Sequence, residues 1–358
     1  MPRIPADMAK AEAFASQMIN ILNSGSLSTM ISIGHRTGLF DALDSVGTAT
    51  LEEIAKGASL NERYVKEWLG AMVSGKIIEY DPSARTYHLP SENAIFLTRR
   101  SREKNMAAIA SMLPVWSRVE DRIVECFKHG GGVGYDEYGR FHEVMGEISH
   151  ANVGCNLVDN ILPDRPGLLD KLEKGIRVLD IGCGDGQVLL KLAERFPGSL
   201  FIGVELCEGP VSTARQQAGH QALDNVRFEN ADLLSYQPVD RFDLITAFDV
   251  IHDLAFPDKV LSRCHQWLKD DGEFLMMDVN ASSHLENNLE HPFAPFLYTA
   301  STLHCMTVSL AQGGMGLGTV WGVEKASEML MEAGFELSEV KTYEHDPLNN
   351  YYFCSRQE

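Results

Sequence analysis

Stretches apolar enough to cross a bilayer are missing from this 358-residue chain: no run of about 18 apolar residues occurs, so no membrane partner is expected. Cysteine pairs are missing too. The seven cysteines (Cys126, Cys155, Cys183, Cys207, Cys264, Cys305 and Cys354) are odd in number, scattered and never spaced as C-x-x-C, which argues against a disulfide framework or a zinc cluster. Asp7 and Glu12 interrupt the stretch where an export signal needs apolar residues, so a cytoplasmic location is expected. Positive charge is scarce, with 31 Lys and Arg against 50 Asp and Glu. The deficit is uneven: residues 1–100 carry 10 basic against 11 acidic side chains and residues 101–358 carry 21 against 39, so nearly all of the net −19 lies in the second part. Such a field repels phosphate backbones and favours neutral or cationic small substrates, so no nucleic-acid partner is expected.

The length fits two domains with cores of their own, and a hydrophobic content of 44% is that of a globular chain. Residues 8–35 are rich in Ala, Met and Ile with few breakers, and read as one or two helices. Their apolar side chains exceed what a single buried face needs, as in segments that pack on a partner chain or are buried within their own domain. Thr50 and Glu53 form a capping-box pattern that starts a short helix, and Asn61 can cap a second helix over 62–74. Tyr64, Val65, Trp68, Leu69, Met72 and Val73 recur there at helical spacing. Two short strands, 76–80 and 85–89, flank the turn Asp81-Pro-Ser-Ala. Helix, turn, helix and β-wing describe a winged helix over 1–100. Its candidate recognition helix offers only Arg63 and Lys66 against Glu62 and Glu67, too few donors for phosphate contacts. Residues 101–165 read as a helical linker and pocket cover, interrupted by the glycine run 130–134. No strand precedes that run, so it reads as a hinge or loop and not a phosphate cradle.

From 175 onward strands alternate with helices: strands at 176–181, 200–205, 226–230, 242–248 and 273–279, helices at 187–195, 211–220, 257–268 and 323–333, then strands at 335–343 and 350–355. The pattern predicts an α/β domain over 166–358, with a mostly parallel sheet, helices on both faces and a closing antiparallel hairpin.

Glycines after a first strand let the backbone approach a ligand closely. Val178-Leu-Asp-Ile-Gly-Cys-Gly-Asp-Gly186 has this form, spaced Gly182-x-Gly184-x-Gly186, with Asp180 two residues before the first glycine. Dinucleotide loops instead have G-x-G-x-x-G behind apolar residues. An acid at that point suits a ligand with an amino-acid portion and a positive sulfonium. Glu205 ends the second strand, where a carboxylate can accept from both ribose hydroxyls, with Leu206 beside it. Asp232 and Leu233 follow the third strand, where the acid can accept from an adenine amino group and the leucine can lie on the ring.

In these features the chain resembles the class I S-adenosylmethionine (SAM)-dependent methyltransferases, and over its whole length the group with an N-terminal winged-helix dimerisation domain, as in the small-molecule O-methyltransferases. The resemblance implies a Rossmann-like seven-stranded sheet in the order 3-2-1-4-5-7-6, SAM as cofactor and a homodimer. It assigns Asp180, Gly182 and Gly184 to the methionine portion, Glu205 to the ribose, and Asp232 with Leu233 to the adenine. Phe248 would line the cofactor from the end of the fourth strand, and Phe141 with Met145 would cover its methionine end. The acceptor is then a small molecule, methylated on oxygen in the first place, with nitrogen or sulfur as alternatives.

The fourth strand runs out into Asp249-Val-Ile-His252-Asp253. His252-Asp253 resembles the pair in which plant-type O-methyltransferases use the histidine as general base, and imidazole titrates near neutral pH as that task requires. Asp278, ending the fifth strand, sits where relatives place an acid that orients this histidine. Where the family has a later acid, near 320, this chain has Val320 or Trp321. The insertion 281–322 is rich in aromatics, among them Phe293, Phe296, Tyr298 and Trp321, and ends in glycines; it reads as a lid over the acceptor. Two further readings stand beside this one: a SAM-binding winged-helix regulator, and an enzyme that uses SAM without methyl transfer. Nucleic-acid methylation is excluded further by the absence of an Asn/Asp-Pro-Pro-Tyr/Phe signature and of any Pro-Cys pair.

Overall fold

In a computed structural model of the chain, residues 6–356 are described, without the side chains of 102–104 and 152. Residues 1–5, part of the stretch read above as lacking an export signal, lie outside them. Two compact units result, Met1–Pro114 and Val115–Glu358, so the division falls within the segment expected to link the domains. No helix of the described residues is long and apolar enough to cross a membrane.

In the first unit, residues 8–35 belong to one continuous helix, Met8–Thr37, capped by the Asp7 carboxylate and closed by Gly38 in the left-handed region. Only its C-terminal end is buried, where Trp68 Nε1 donates to the Met30 carbonyl (2.8 Å). The predicted caps are present: Thr50 and Glu53 close a capping box, and Asn61 accepts from the Arg63 amide. Helix Glu62–Ser74 buries Val65, Trp68, Leu69 and Met72 of the six residues read at helical spacing; Val73 is half-buried and Tyr64, one position off that face, is 80% exposed. Three short strands, β1 (Ala49–Thr50), β2 (Glu79–Asp81) and β3 (Thr86–His88), pair in the order β1-β3-β2. The wing is shorter than predicted, because the Ile77 and Ile78 amides turn back to the Met72 carbonyl (2.9 and 3.3 Å) and extend the helix end in place of a strand.

The second unit is built on seven strands: β4 (Arg177–Ile181), β5 (Leu200–Glu205), β6 (Val226–Asn230), β7 (Phe242–Phe248), β8 (Leu268–Val279), β9 (Phe335–Tyr343) and β10 (Asp346–Arg356). They lie in the order β6-β5-β4-β7-β8-β10-β9. Counted from β4, this is the expected 3-2-1-4-5-7-6. The central strands pair in parallel, while β10 runs antiparallel between β8 and β9. One apolar core packs each face of the sheet, with Val178 and Phe201 on one side and Leu179 and Ile245 on the other. β8 and β10 both start earlier than predicted, at Leu268 and Asp346. This arrangement brings the C-terminal ends of β4 to β8 together at one edge, where an open α/β sheet holds its ligand.

The glycine run at 130–134 is a loop, as expected, and it is packed. A Cβ on Gly132 would lie 2.0 Å from the Thr307 carbonyl, and the neighbouring Val133 amide donates to Thr307 Oγ1 (2.9 Å).

Candidate active site

The chain after β4 leaves the sheet in a tight turn that only glycine fits. Gly182 and Gly186 have φ of +65° and +77°, and an added Cβ would meet Val250 at 2.4 Å and the Phe228 ring at 2.5 Å. Glu205 ties this loop to the next strand end: its carboxylate accepts from the Gly184 amide (3.3 Å) and the Cys207 amide (2.9 Å). Asn230 Nδ2 donates to the carbonyls of Glu205 and Leu206 (3.1 and 2.7 Å), and Asp232 accepts from the Leu234 amide (2.8 Å).

These turns surround a cavity of about 370 Å³, within the range of small-molecule sites. Every residue assigned above to the cofactor lines it: Asp180, Gly182, Gly184, Glu205 and Leu206 from the first two strand ends, Asp232 and Leu233 from the third, Phe248 from the fourth, and Phe141 from helix Phe141–Ser149. Asp180 is 3% exposed and accepts from Thr246 Oγ1 (2.7 Å). Burial pushes its carboxyl up to about 7, with Glu205 adding to the effect against the Thr246 hydrogen bond.

His252 and Asp278 stand behind the cavity wall and do not line it. His252 Nδ1 donates to Asp278 Oδ1 (2.8 Å), and its Nε2 lies 3.3 Å from Asp253 Oδ1. Burial alone would lower the imidazole pKa, but the carboxylates of Asp278 and Asp253 outweigh it and hold it well above its ordinary value. Asp278 Oδ1 also accepts from the Trp321 indole (2.9 Å) and the Val279 amide (2.8 Å). Of the two residues read at the place of the expected later acid, Val320 and Trp321, it is Trp321 that meets Asp278, as a hydrogen-bond donor. Of 281–322, only Gln312 reaches the cavity wall; Phe293 and Phe296 pack against Val279, Ala281 and Leu297 in a small separate core.

Among the cavity residues that received no role from the sequence are Tyr135, His142, Asp185 and Asp249, each with an ionisable group at the wall. Tyr135 donates from its hydroxyl to Asp253 Oδ2 (3.1 Å), across 118 positions of chain, and no local pattern announces it. His142 stacks on Tyr135 and is held below its ordinary pKa by burial, against the pull of Glu205 and Asp185. Asp185 accepts from Gln187 Nε2 (3.4 Å). Asp249 has a left-handed backbone (φ +61°), and burial pushes its carboxyl up to about 7, with His252 opposing. Asp249 alone had a legible signal, an acid directly after the fourth strand.

Residues 172–334 match the family model of a methyltransferase domain, and residues 25–99 match that of the Rv2258c-like winged HTH domain. The ubiquinone biosynthesis O-methyltransferase of Coxiella burnetii is 24% identical over 184 residues, covering 51% of this chain and 73% of that protein. Among solved structures, the mitomycin 7-O-methyltransferase MmcR superposes with a TM-score of 0.70 at 16% identity, over 98% of this chain and 100% of that one. Human N-acetylserotonin methyltransferase in complex with SAM gives a TM-score of 0.70 at 16% identity, over the whole of both chains. At that identity the likeness concerns the fold.

Proposed function

The chain belongs to the methyltransferases that carry an N-terminal winged-helix domain, and on that premise we propose that it takes SAM into the cavity at the β4 to β7 strand ends and methylates a small molecule, on oxygen in the first place. The observation that carries this reading is the convergence of a glycine loop and three successive strand-end acids on one cavity of about 370 Å³. Their chemistry fits the cofactor: a buried carboxyl with a pKa of about 7 calls for a cationic partner, and Asp180 faces the place where the amino-acid portion would lie. Glu205 would hold the ribose, Asp232 and Leu233 the adenine, and Phe248 and Phe141 would exclude water from either side. SAM supplies an activated methyl group and a neutral leaving thioether. The protein's part is to align the acceptor behind that methyl group and to receive its proton. The experiment that tests the reading is incubation with SAM and a cell metabolite extract, followed by mass spectrometry. A methyl-shifted species should form in step with S-adenosylhomocysteine, and its absence would remove the reading.

His252 is the proposed base, oriented by Asp278; standing behind the cavity wall, it would take the acceptor's proton by way of Asp253, which lines the cavity and lies 3.3 Å from its Nε2. Because the two flanking carboxylates raise its pKa, the ring carries a proton at neutral pH and becomes a base only on losing it. Turnover under saturating substrates should therefore climb with pH through and beyond neutrality. A pH–rate profile already level at about 6.5, the ordinary imidazole value, would rule the base role out.

A homodimer through the N-terminal domain is supported by helix Met8–Thr37, where Phe14, Ile19, Ile21 and Leu22 are 52–65% exposed. Soluble monomers rarely leave such a row uncovered. The double variant Ile19→Glu, Leu22→Glu should halve the mass read by light scattering while leaving the circular dichroism spectrum unchanged; a mass equal to wild type would refute this interface. DNA is not a proposed partner: on the candidate recognition helix Arg63 is paired with Glu67. Seven unpaired cysteines agree with a reducing cytosol.

A further inference from the structure

Six carboxylates line the cavity, and among the described residues no lysine or arginine does. Asp180, Glu205 and Asp232 are accounted for by the cofactor, and Asp185 by its contact with Gln187. Asp249 and Asp253 remain, at the mouth of β7, the strand end nearest His252. One imidazolium, His252, offsets only part of this charge, because the same ring is ion-paired with both Asp253 and the fully buried Asp278. Asp253 is 8% exposed, and its Oδ1 is buried with no hydrogen-bond donor. No side-chain donor among the described residues reaches the Asp249 carboxylate, and its nearest charged neighbours, apart from His252, are the like-charged Asp278, Asp253 and Asp346. Beside them stand two aromatic walls, Tyr135 and Phe141, with ring centroids 6.0 Å apart. Asp253 already accepts from the Tyr135 hydroxyl (3.1 Å), so Asp249 is the unpaired acid of the two. An unpaired carboxylate, with a second acid and aromatic rings beside it, is the chemistry that recognises an organic ammonium.

We infer that the acceptor is a cationic small molecule, a protonated amine held by Asp249 beside the Tyr135 and Phe141 rings, with Asp253 adding to the local negative charge. This names the substrate class of the site and rests on the methyl-transfer reading above. It concerns the charge the substrate carries and leaves the methylated atom free to be a hydroxyl elsewhere on the same molecule. The surplus of negative charge in the second part of the chain would draw such a substrate in.

The test uses the full-length enzyme and SAM with an isotopically labelled methyl group. A cell metabolite extract is divided into cation-exchange-retained, anion-exchange-retained and unretained fractions, and each is incubated separately. Labelled product is expected from the cation-exchange-retained fraction. Label arising only from either of the others overturns the inference and leaves methyl transfer standing; label from none overturns methyl transfer itself. The second arm is Asp249→Asn, which keeps the shape and tolerates a left-handed backbone. With the productive fraction, the variant should raise the KM for acceptor by roughly tenfold or more, the loss of one charge-assisted contact, while the Kd for SAM by calorimetry stays unchanged. If instead SAM binding weakens and the acceptor KM holds, Asp249 serves the cofactor's sulfonium and the inference fails.

Discussion

Asp180→Asn is expected to make the protein more stable and less able to bind its cofactor, both effects growing with pH. In the folded chain the carboxyl titrates at about 7, against an ordinary 3.8. The folded state thus holds a proton that the unfolded chain has already released, and stability falls as pH rises from about 4 to about 7. Above that window the whole cost is present, on the order of 4 kcal/mol for a shift of about three units. Asparagine keeps the acceptor for Thr246 and removes the charge, so thermal denaturation of the variant at pH 8 should lie several degrees above wild type, the gap closing towards pH 4. Cofactor binding should move the other way. A cationic ligand needs the ionised carboxylate, so the wild-type Kd for SAM should rise about tenfold per pH unit below about 7 and level off above it. In the variant the Kd should be weaker by roughly ten- to a hundredfold at pH 8, the worth of one charge-assisted hydrogen bond, and nearly independent of pH. A variant with wild-type affinity and the wild-type pH slope would sink the assignment of Asp180 to the cofactor.

His252→Ala carries the largest expected loss of rate. General-base assistance is worth about 10²–10⁴-fold, and turnover should fall by that factor while the Kd for SAM is retained, since His252 does not line the cavity. The substitution also leaves Asp253 and Asp278 facing each other without a cation. Breaking a buried pair in this way costs about 3–5 kcal/mol, so the measurement is made well below the melting temperature, with the folded fraction checked by circular dichroism. Full turnover in the folded variant would mean that alignment alone suffices and that the histidine is a structural ion. Asp278→Asn should be milder, because the ring keeps an acceptor on Nδ1 and loses only the charge that raised its pKa.

The second unit's sheet was legible because buried parallel strands are written as short apolar runs separated by helices, and β4, β5, β6 and β7 follow those runs closely. That Asp180, Glu205 and Asp232 come to one cavity was legible because acids at successive strand ends have regular sequence positions. What lay outside reach was contributed by chain far away. Tyr135 and His142 arrive from the helical segment ahead of the sheet, and their place over Asp253 and Glu205 is decided by packing, with no periodicity to mark it. The aromatics of 281–322 left two readings open for a related reason: composition distinguishes apolar residues from polar ones, but not a cavity lining from a satellite core. Phe293 and Phe296 belong to such a core. Trp321 is the instructive substitution. Read against an expected acid it is a gap in the pattern, yet its indole meets the same carboxylate from the donor side.

The position of β10 has a consequence for synthesis on the ribosome. Residues 346–356 form a strand inside the sheet, paired with β8 on one edge and β9 on the other. Until those residues have emerged, the nascent chain holds a slot with two bare edges, open to any other extended segment that can fill it. Apolar Tyr351, Tyr352 and Phe353 are what finally closes it. Shortening the chain within this strand should therefore shift newly made protein from the soluble to the aggregated fraction, well before any residue of the cavity is touched.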